Sequence, residues 1–582
     1  MVDCPDCQAS LKVHKTQSKK IYTLHLGGFT AQETLLQCNS CDKKTIYAAE
    51  ELRRLAPPGS RFGYDVMVFV GKALFMRHRR AEEIIDELLW QNVRISASEI
   101  GYLGKKFVVY LALAHRQSAP RLQQAMREKG GYILHLDGTC EGRGPMLMSS
   151  LDSISEIVLG NVKVPSEKAA EIMPFLEEIK RRYGVPLAVV HDMGVGILAA
   201  VKKVFAGVPD FICHFHFLRD LGKDLLEKDY DEIRKRLRQH EITEKLRYRA
   251  RQMKALIDQE SDLIDSFYRS LQTDLPRGKI RQRNSVSTDN MDRFPLLCAY
   301  SLIQWALEGK TQGEGYGFPF DRPHVEFAKR LLVVYEQLEP IKGVHLRGQS
   351  SGNMPLLKLS RELEKVGADA ELRQMLAAID VKIQVFDQLR RAMRIAEKDK
   401  TAGLNSGSEQ TAMGPIQKAV KKFHHKVTSR SDYHSNSGWK KMIAQIDKYW
   451  DKLFADPIAV EAANGRLLIQ PQRTNNIMER FFRDIRRAAR RKSGHNSISR
   501  FLQSMIAETP LVRNLDNPAY LKVLLNGRAN LEDCFAHIDI DVVRQEMDAT
   551  QQSLERVPRK IRELIAVPAF PEVLSRLFRK TA

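Results

Sequence analysis

The chain has 582 residues, enough for several domains, since one domain usually takes about 100–200 residues. A hydrophobic fraction of 43% and a charged fraction of 28% are ordinary for a globular protein and exclude a fibrous or largely disordered chain. Lys and Arg number 92 against 71 Asp and Glu, and this net charge of +21 favours a polyanionic partner. Nucleic acid is the first candidate, and an anionic membrane surface is the second.

The sequence predicts an intracellular protein. It has no run of eighteen apolar residues, and the first segment, MVDCPDCQAS, lacks the basic and then apolar pattern of a signal peptide. Its eight cysteines are too few for a disulfide scaffold, and four of them form two CxxC pairs near the start of the chain. This clustering indicates a metal site.

Residues 1–56 are predicted to form a zinc ribbon, because two CxxC pairs can supply the four thiolates of a tetrahedral structural Zn²⁺ site. The four predicted ligands are Cys4, Cys7, Cys38 and Cys41. Four protein ligands would leave no open position for catalysis. Two alternatives stay open: chance pairs in a reduced chain, or replacement of one cysteine by His14 or His25.

Residues 60–125 are predicted to form a helical module that resembles a helix-turn-helix DNA-binding unit. An amphipathic helix is followed by the short connector QNVRIS, and Ser96 or Ser98 can cap a second amphipathic helix. Lys105 and Lys106 lie off the apolar stripe of that second helix and are predicted to bind DNA. The alternative is a plain helical bundle whose charges form a solvated face.

Residues 130–218 change to short apolar runs that predict strands. The predicted order is three strands, helix, strand, helix, strand, which is that of an α/β RNase H-like mixed sheet with helices on both faces. Asp137 ends the first strand and Asp192 the fourth, so neighbouring strands would bring the two carboxylates side by side. Each has a simpler interpretation: Asp137-Gly138 is a hairpin-turn signal, and Asp192 can cap the next helix.

Residues 219–465 are predicted to be a large helical domain inserted into the sheet domain, because helical patterns rich in Lys, Arg, Glu and Leu dominate there. Trp305 in this insertion is predicted to pack in a helical core rather than to stack on a displaced base. Residues 466–500 are predicted to supply the final helix of the sheet domain, and residues 501–582 a helical tail.

A strongly basic helix is predicted at about 475–491, where residues 473–492 carry eight Arg or Lys against Glu479 and Asp484. On a helix, Glu479 shares a face with several arginines, which are predicted to bind DNA phosphates. The predicted phosphate-binding residues are Arg480, Arg483, Arg486, Arg487 and Arg490. The alternative for Glu479 is a capping box with Asn476 as the N-cap residue.

Four segments together resemble DDE transposases of the Mutator-like and related bacterial insertion-sequence families. They are HLDGT around Asp137, VVHDMGVGILAAVKKVF around Asp192, ICHFHFLRDLGKDLL, and TNNIMERFFRDIRR around Glu479, in the order of that family's core motifs. The likeness covers roughly residues 60–495. It implies an RNase H-like core and a catalytic triad of Asp137, Asp192 and Glu479 that holds two Mg²⁺ or Mn²⁺ ions.

The same resemblance implies metal-dependent cleavage and strand transfer at transposon ends, with double-stranded terminal inverted repeats and target DNA as partners. Two DNA ends must be joined in one complex, so a homo-oligomer is expected. The resemblance further implies a prokaryotic cytoplasmic protein associated with the nucleoid rather than with a membrane.

A Cys-x-x-His pair also marks the family, and here it is Cys213 and His216, expected neighbours of the active site. In a strand, residues three apart face opposite sides and both can be core or rim residues, whereas in a helix they would lie near each other beside Asp192. Two other functions stay open: a non-transposing, sequence-specific DNA-binding protein domesticated from a transposase, and another RNase H-like nuclease.

Overall fold

The computed structural model describes residues 3–40, 46–142, 144–259, 264–265, 295–345, 354–395, 413–554, 561, 564–565 and 567–579. The chain divides into two compact units. The first comprises Met1–Cys213 and Asp451–Ala582, and the second comprises His214–Trp450. The second unit begins and ends somewhat earlier than the predicted insertion at 219–465.

The first unit starts with an antiparallel sheet of order β1-β2-β3. Its strands are β1 (Lys12–Thr23), β2 (Gly27–Gln37) and β3 (Ile46–Tyr47). The pairing of β1 with β2 runs from Lys12 opposite Gln37 to Thr23 opposite Gly27. This long hairpin brings the chain back so that residues near Cys38 lie beside those near Cys4.

Five helices follow this small sheet. They are α1 (Glu50–Leu55), α2 (Tyr64–Phe75), α3 (Ala81–Trp90), α4 (Ala97–Gln117) and α5 (Ala119–Glu128). Ser96 caps α4 in a capping box with Glu99, as the sequence suggested for Ser96. Every residue of α4 from Phe107 to His115 is buried. The second half of α4 is therefore a core element, whereas Gly101 and Tyr102 in its first half are exposed.

The large sheet has five strands in the order β6-β5-β4-β7-β8. Along the chain its elements are β4 (Ile133–Thr139), β5 (Met146–Asp152), β6 (Ile157–Val164), α6 (Ala169–Tyr183), β7 (Ala188–His191), α7 (Val195–Val204) and β8 (Asp210–Ile212). The first three strands pair antiparallel, whereas β4 with β7 and β7 with β8 pair parallel. The predicted mixed sheet is therefore confirmed.

The elements described in the second unit are all helices. They are α8 (His214–Gln239), α9 (Ile242–Ile257), α10 (Pro295–Glu308), α11 (Pro323–His345), α12 (Met354–Gly367), α13 (Ala370–Ala392), α14 (Met413–Thr428), α15 (Ser437–Lys448) and α16, which begins at Trp450 and ends at Leu453 in the first unit. Trp305 is 39% exposed, and the Arg330 guanidinium lies 4.6 Å from its ring centroid. The prediction that Trp305 packs in a core is wrong.

After the second unit the chain returns to the first through elements of which only one was predicted in detail. They are β9 (Ile458–Ala462), β10 (Gly465–Ile469), α17 (Asn476–Ser493), α18 (Ser499–Ser504), a 3₁₀ helix (Thr509–Asp516), α19 (Pro518–Leu525), α20 (Leu531–Ala536), α21 (Ile540–Leu554) and α22 (Phe570–Arg579). The antiparallel β9-β10 hairpin begins inside the stretch predicted to be helical, so that prediction is wrong for residues 458–462.

One hydrophobic core joins the helices before the large sheet, the sheet itself and the C-terminal helices. At its centre the His115 ring of α4 lies within hydrogen-bond distance of the Tyr520 hydroxyl of α19 (3.0 Å) and the Tyr183 hydroxyl of α6 (2.7 Å). Residues from both 60–125 and 501–543 therefore pack in the same core as the large sheet. Within the described segments, no helix combines the length and apolar character needed to cross a bilayer.

Because α4 and the sheet share a core, Phe107→Ala should destabilise both together. Phe107 is fully buried and packs against Phe535, and loss of a buried phenyl ring costs about 3–5 kcal/mol. Hydrogen exchange should then accelerate in β4 as well as in α4, whereas Tyr102→Ala, at an exposed position on the same helix, should change neither. Acceleration confined to residues 60–125 would contradict a shared core.

Candidate functional site

The candidate site lies where β4 and β7 end. These strands pair in parallel from Ile133 opposite Ala188 to His135 opposite Val190. Two residues further along each chain come Asp137 and Asp192, so continued register puts both carboxylates on one face of the sheet at neighbouring positions. After β4 the chain continues to β5 on one side of this pair, and after β7 it continues to β8 on the other side. Connections that diverge in this way leave a crevice at the carboxyl ends of the two strands.

The two carboxylates are held by nearby backbone groups. Asp137 is 7% exposed, and its Oδ1 accepts a hydrogen bond of 2.8 Å from the Gly138 N–H. The hairpin-turn interpretation is wrong, because β4 continues through both residues to Thr139. Asp192 Oδ1 accepts from the Gly194 N–H at 3.0 Å, and Gly194 is the N-cap residue of α7. Asp192 therefore orders the start of α7 but is not its N-cap residue.

A third acidic side chain, Glu167, lies beside Asp192, and the sequence gave no signal for it. A Cβ built on Gly194 would lie 3.1 Å from Asp192 Oδ1 and 3.3 Å from Glu167 Oε1. Partial burial, and then the negative charge of Asp192, raise the pKa of Glu167. The absence of a side chain at Gly196 lets α7 approach the Glu167 backbone, because a Cβ at Gly196 would overlap the Glu167 carbonyl oxygen.

The N-terminus of α17 is bound to β4 through Asn475. This fully buried residue donates from Nδ2 to the Leu136 carbonyl (2.8 Å), and its Oδ1 lies 2.9 Å from His135 Nδ1. Because the Asn475 Nδ2–H group donates to the Leu136 carbonyl, Asn475 Oδ1 is the acceptor for the His135 ring. The His135 proton is therefore assigned to Nδ1. Burial lowers the pKa of His135 to about 4, so the ring is neutral at pH 7.

The capping-box interpretation of Glu479 is wrong. The N-cap residue of α17 is Asn475, not Asn476, so Glu479 is not at the N3 position that a capping box requires. The Asn475 side chain makes no helix-capping hydrogen bond, because it binds β4 instead. The structure thus removes the simple helix-stabilising role suggested for Glu479.

Glu479 lies on the face of α17 that meets β4. The Asn475 side chain binds Leu136 near the start of this helix, and Arg486 Nη2 lies 3.3 Å from Thr139 Oγ1 further along. At 100° per residue, Asn475 and Arg486 differ by only about 20° around the helix. Glu479 lies between them along the axis, about 40° from Asn475 and about 20° from Arg486 around it. The Glu479 side chain is therefore directed to the stretch of β4 that contains Asp137.

Asp137 and Asp192 follow paired residues of neighbouring strands, and Glu479 lies on the helix that is bound to β4, but the three acids do not form a close group. In the described part of the chain, one group of three or more Cys, His, Asp or Glu side chains has all its ligand atoms within 4.8 Å of one another, and that group contains cysteines. At least one pair among the carboxylate groups of Asp137, Asp192 and Glu479 is therefore separated by more than 4.8 Å. Oxygen ligands of a single Mg²⁺ lie about 2.1 Å from the ion and therefore at most about 4.2 Å from one another.

Cys213 lies at the same end of the sheet. Its N–H donates to the His191 carbonyl (2.8 Å), and its Sγ accepts from the Asn475 N–H (3.1 Å). The predicted strand ends at Ile212, and α8 begins at His214, so the expectation that His216 lies on a strand is wrong. His216 is buried in the first turns of α8 in the second unit, where burial and then Arg219 and Lys223 lower its pKa to about 3.

The predicted DNA-binding residues differ in accessibility. Four arginines of α17 are exposed, and Arg480 is half-buried; the four are Arg483, Arg486, Arg487 and Arg490. Lys105 and Lys106 are half-buried on α4. The Lys106 ammonium lies 4.8 Å from the Tyr102 ring centroid, and burial, then the charge of Arg544, lower its pKa. The exposed face of α17 is therefore the better phosphate-binding surface.

A second candidate site is the cysteine cluster at the start of the chain. The sulfur atoms of Cys4, Cys7 and Cys38 all lie within 4.8 Å of one another, and those of Cys7 and Cys38 are 3.5 Å apart. In a tetrahedral zinc site with Zn–S bonds of about 2.3 Å, sulfurs are about 3.8 Å apart. The cluster is compatible with structural zinc. The fourth predicted ligand, Cys41, lies outside the described residues.

Tyr47 favours the thiolate form of Cys4. Its hydroxyl lies 3.3 Å from Cys4 Sγ, and this hydrogen bond is the main cause that lowers the pKa of Cys4 to about 6. Thiolate is the form that binds metal. Neither His14 nor His25 belongs to the cluster, so the described residues give no support for a histidine ligand.

The comparisons with known proteins leave the site to be judged on its geometry. No protein-family model matches the chain, and no curated protein is significantly similar to it. The resemblance to DDE transposases therefore depends on the motifs and their arrangement alone.

Zinc content tests the cysteine cluster. The purified chain should contain close to one zinc ion per molecule, and Cys7→Ser should lose most of it, because three thiolates hold Zn²⁺ much more weakly than four. Metal analysis by mass spectrometry measures this ratio. Cys140→Ser, an exposed cysteine outside the cluster, is the matched control and should retain the zinc. A wild-type chain purified without zinc would contradict this assignment.

Removal of the Asn475 side chain should loosen the attachment of α17 to β4. Asn475→Ala leaves the buried His135 Nδ1 and Leu136 carbonyl without this partner, at a cost of about 1–3 kcal/mol for each group. Denaturant unfolding should show a fall of about 2–5 kcal/mol, whereas Asn476→Ala should change stability by less than about 1 kcal/mol. Equal effects of the two substitutions would count against the role assigned to Asn475.

Proposed function

We propose that the chain is a DNA transposase with an RNase H-like catalytic core, which cleaves DNA at transposon ends and joins the ends to target DNA in a divalent-metal-dependent reaction. One observation carries the proposal: the basic helix α17 is bound by Asn475 to the strand that contains Asp137, with Glu479 on the facing side. Asp192 ends the neighbouring parallel strand. The sheet order β6-β5-β4-β7-β8 supports the RNase H-like assignment.

The donor set suits a hard divalent cation. Asp137, Asp192 and Glu479 offer carboxylate oxygens, which Mg²⁺ and Mn²⁺ prefer to nitrogen or sulfur ligands. Two ions would share these ligands, which fits a set with at least one pair separated by more than 4.8 Å better than one ion does. Two bound ions 3.5–4 Å apart supply an activated nucleophile and stabilise the leaving oxygen of a phosphodiester.

The residues around the acids have separate tasks in this proposal. Asn475 and the neutral His135 hold the start of α17 in place, so that Glu479 stays directed at β4. The exposed arginines of α17 bind phosphates of the DNA strand, and one of them, Arg486, contacts Thr139, two residues beyond Asp137 on β4. Glu167 lies beside Asp192 and adds negative charge that a bound cation would neutralise.

The net charge of +21 supports double-stranded DNA as the partner, both the terminal inverted repeats and the target. We assign recognition of the repeats to the zinc ribbon, with a fourth ligand from Cys41, and to the helices between residues 60 and 125. Joining two ends requires a homo-oligomer. A prokaryotic cytoplasm with nucleoid DNA is the setting in which such an enzyme would act.

A second candidate function is a DNA-binding protein of transposase origin that no longer cuts DNA. Such a protein does not need the three carboxylates to form a group within 4.8 Å, and in the described chain they do not form one. The exposed basic face of α17 would serve equally well in such a protein.

Cleavage assays separate these functions. With Mg²⁺ and linear DNA bearing the sequences that flank the coding region, the wild-type chain should nick at the repeat ends. Asp192→Asn and Glu479→Gln should each reduce the rate about a thousandfold or more, since metal ligation contributes several kcal/mol to transition-state stabilisation. Glu461→Gln, an exposed residue of β9, is the matched control and should retain activity.

Two other outcomes of the cleavage assay would favour the alternative functions. Binding without Mg²⁺-dependent nicking by the wild-type chain would favour the non-cutting protein. Nicking that does not depend on the repeats would favour a different nuclease of the same fold.

A further inference from the structure

A solvent-open cavity of about 700 Å³ lies along α17 on the flank away from Glu479. It is bounded by the end of α2 with the residues just after it, by the second half of α17, and by the 3₁₀ helix. All these elements belong to the first unit. Its volume is in the range of about 300–1,000 Å³ that is usual for small-molecule sites.

The cavity is lined by both cationic and acidic side chains, and three of the cations have no ion-pair partner among the described residues. Arg487, Arg491 and Lys492 of α17 line it, and none of the three has a carboxylate within 4.0 Å among the ion pairs of the described chain. By contrast, Arg513 on the opposite wall lies 3.5 Å from Asp484. Three cations without partners on one wall form a site for an anionic ligand.

Lys492 is the most informative of these cations. It is half-buried, and its ammonium lies 4.8 Å from the Phe75 ring centroid. Burial lowers its pKa to about 8, which is the effect expected of a cation withdrawn from water without a compensating anion. His78 lies in the same wall, and burial, followed by the charges of Lys492 and Arg491, lowers its pKa. A phosphate would compensate both groups.

The rest of the lining combines apolar and aromatic side chains with the acids Glu156, Asp484 and Asp516. Phe75 and Phe501 are half-buried in the lining, and Met76 lies beside them. Planar bases stack on such rings in a sequence-tolerant way, whereas an inorganic anion would gain nothing from them. Phenylalanine rings next to unpaired cations therefore match a ligand that has a flat apolar part and a phosphate.

We propose that this cavity binds one nucleotide unit, with its base against Phe75 and Phe501 and its phosphate at Arg491 and Lys492. Two ligands carry a base and a phosphate in this way: a nucleotide unstacked from a DNA strand, and a free nucleotide. The DNA strand is the source that we favour, and this choice rests on the proposed function. Arg487 links the cavity to the phosphate-binding face of α17, so a strand on that face can reach it.

Binding of a short single-stranded oligonucleotide to the full chain tests the site, with fluorescence anisotropy as the readout. Lys492→Ala, Arg491→Ala and Phe501→Ala should each weaken binding roughly 5- to 100-fold, the range expected for loss of stacking or a charged contact. Lys129→Ala and Tyr248→Ala remove an exposed charge and an exposed aromatic ring elsewhere, and both should bind within about twofold of wild type. Phe501→Leu keeps the volume of the side chain and controls for misfolding.

Cross-linking locates the base. An oligonucleotide with one 5-iodouracil should cross-link, on irradiation, to peptides that contain Phe75 or Phe501. Cross-links only elsewhere, or equal binding by the Lys492→Ala, Phe501→Ala and control variants, would overturn the proposal. An effect of Lys492→Ala without any effect of Phe501→Ala or Phe501→Leu would reduce the site to a phosphate contact and also overturn it.

Two further arms separate the sources and the two proposals. Calorimetry with deoxyadenosine monophosphate should give at most weak binding; tight binding that Lys492→Ala abolishes would assign a free nucleotide instead of a strand. Oligonucleotide binding measured without divalent metal does not require the metal site, so a chain that binds at the cavity but never nicks DNA would overturn the proposed function alone. Nicking with no cavity binding would overturn this inference alone.

Discussion

The attachment of α17 to β4 is the constraint on which the rest of the site depends. The buried Asn475 side chain forms hydrogen bonds with the Leu136 carbonyl, which lies just past the last β4-β7 pair, and with the His135 ring. The Asn475 backbone N–H donates to the Cys213 sulfur. These bonds join residues more than 250 positions apart in sequence. Because α17 is a rigid helix, its start on β4 also fixes the direction of Glu479 and of the arginines beyond it.

A consequence of this attachment is that one helix serves two surfaces. The face of α17 that meets β4 carries the acid Glu479 and Arg486, and the opposite flank lines the cavity with Arg491 and Lys492. The buried face between them packs into the core through Phe481 and Phe482. A DNA strand bound along the exposed arginines would lie between the proposed metal site and the proposed nucleotide site, so both proposals need only one path for the strand.

The elements with a strong apolar periodicity could be predicted from the sequence. The order of strands and helices from β4 to β8 and the existence of α17 follow from apolar patterns that local chemistry dictates. The tertiary details did not follow. Asn475 was not recognised, because its partners lie in distant segments. The full burial of the second half of α4 did not follow either, because its apolar stripe gave no sign that all sides would be covered there. The Asn464-Gly465 pair between two apolar runs was a hairpin signal that helical context obscured.

The central claim is that Asp137, Asp192 and Glu479 share two divalent ions, and anomalous diffraction from crystals soaked in Mn²⁺ tests it most directly. The account predicts two Mn²⁺ peaks about 3.5–4 Å apart at the ends of β4 and β7, with a Glu479 oxygen as a ligand. Absence of Mn²⁺ at the strand ends, or one ion bound without Glu479, would contradict the account.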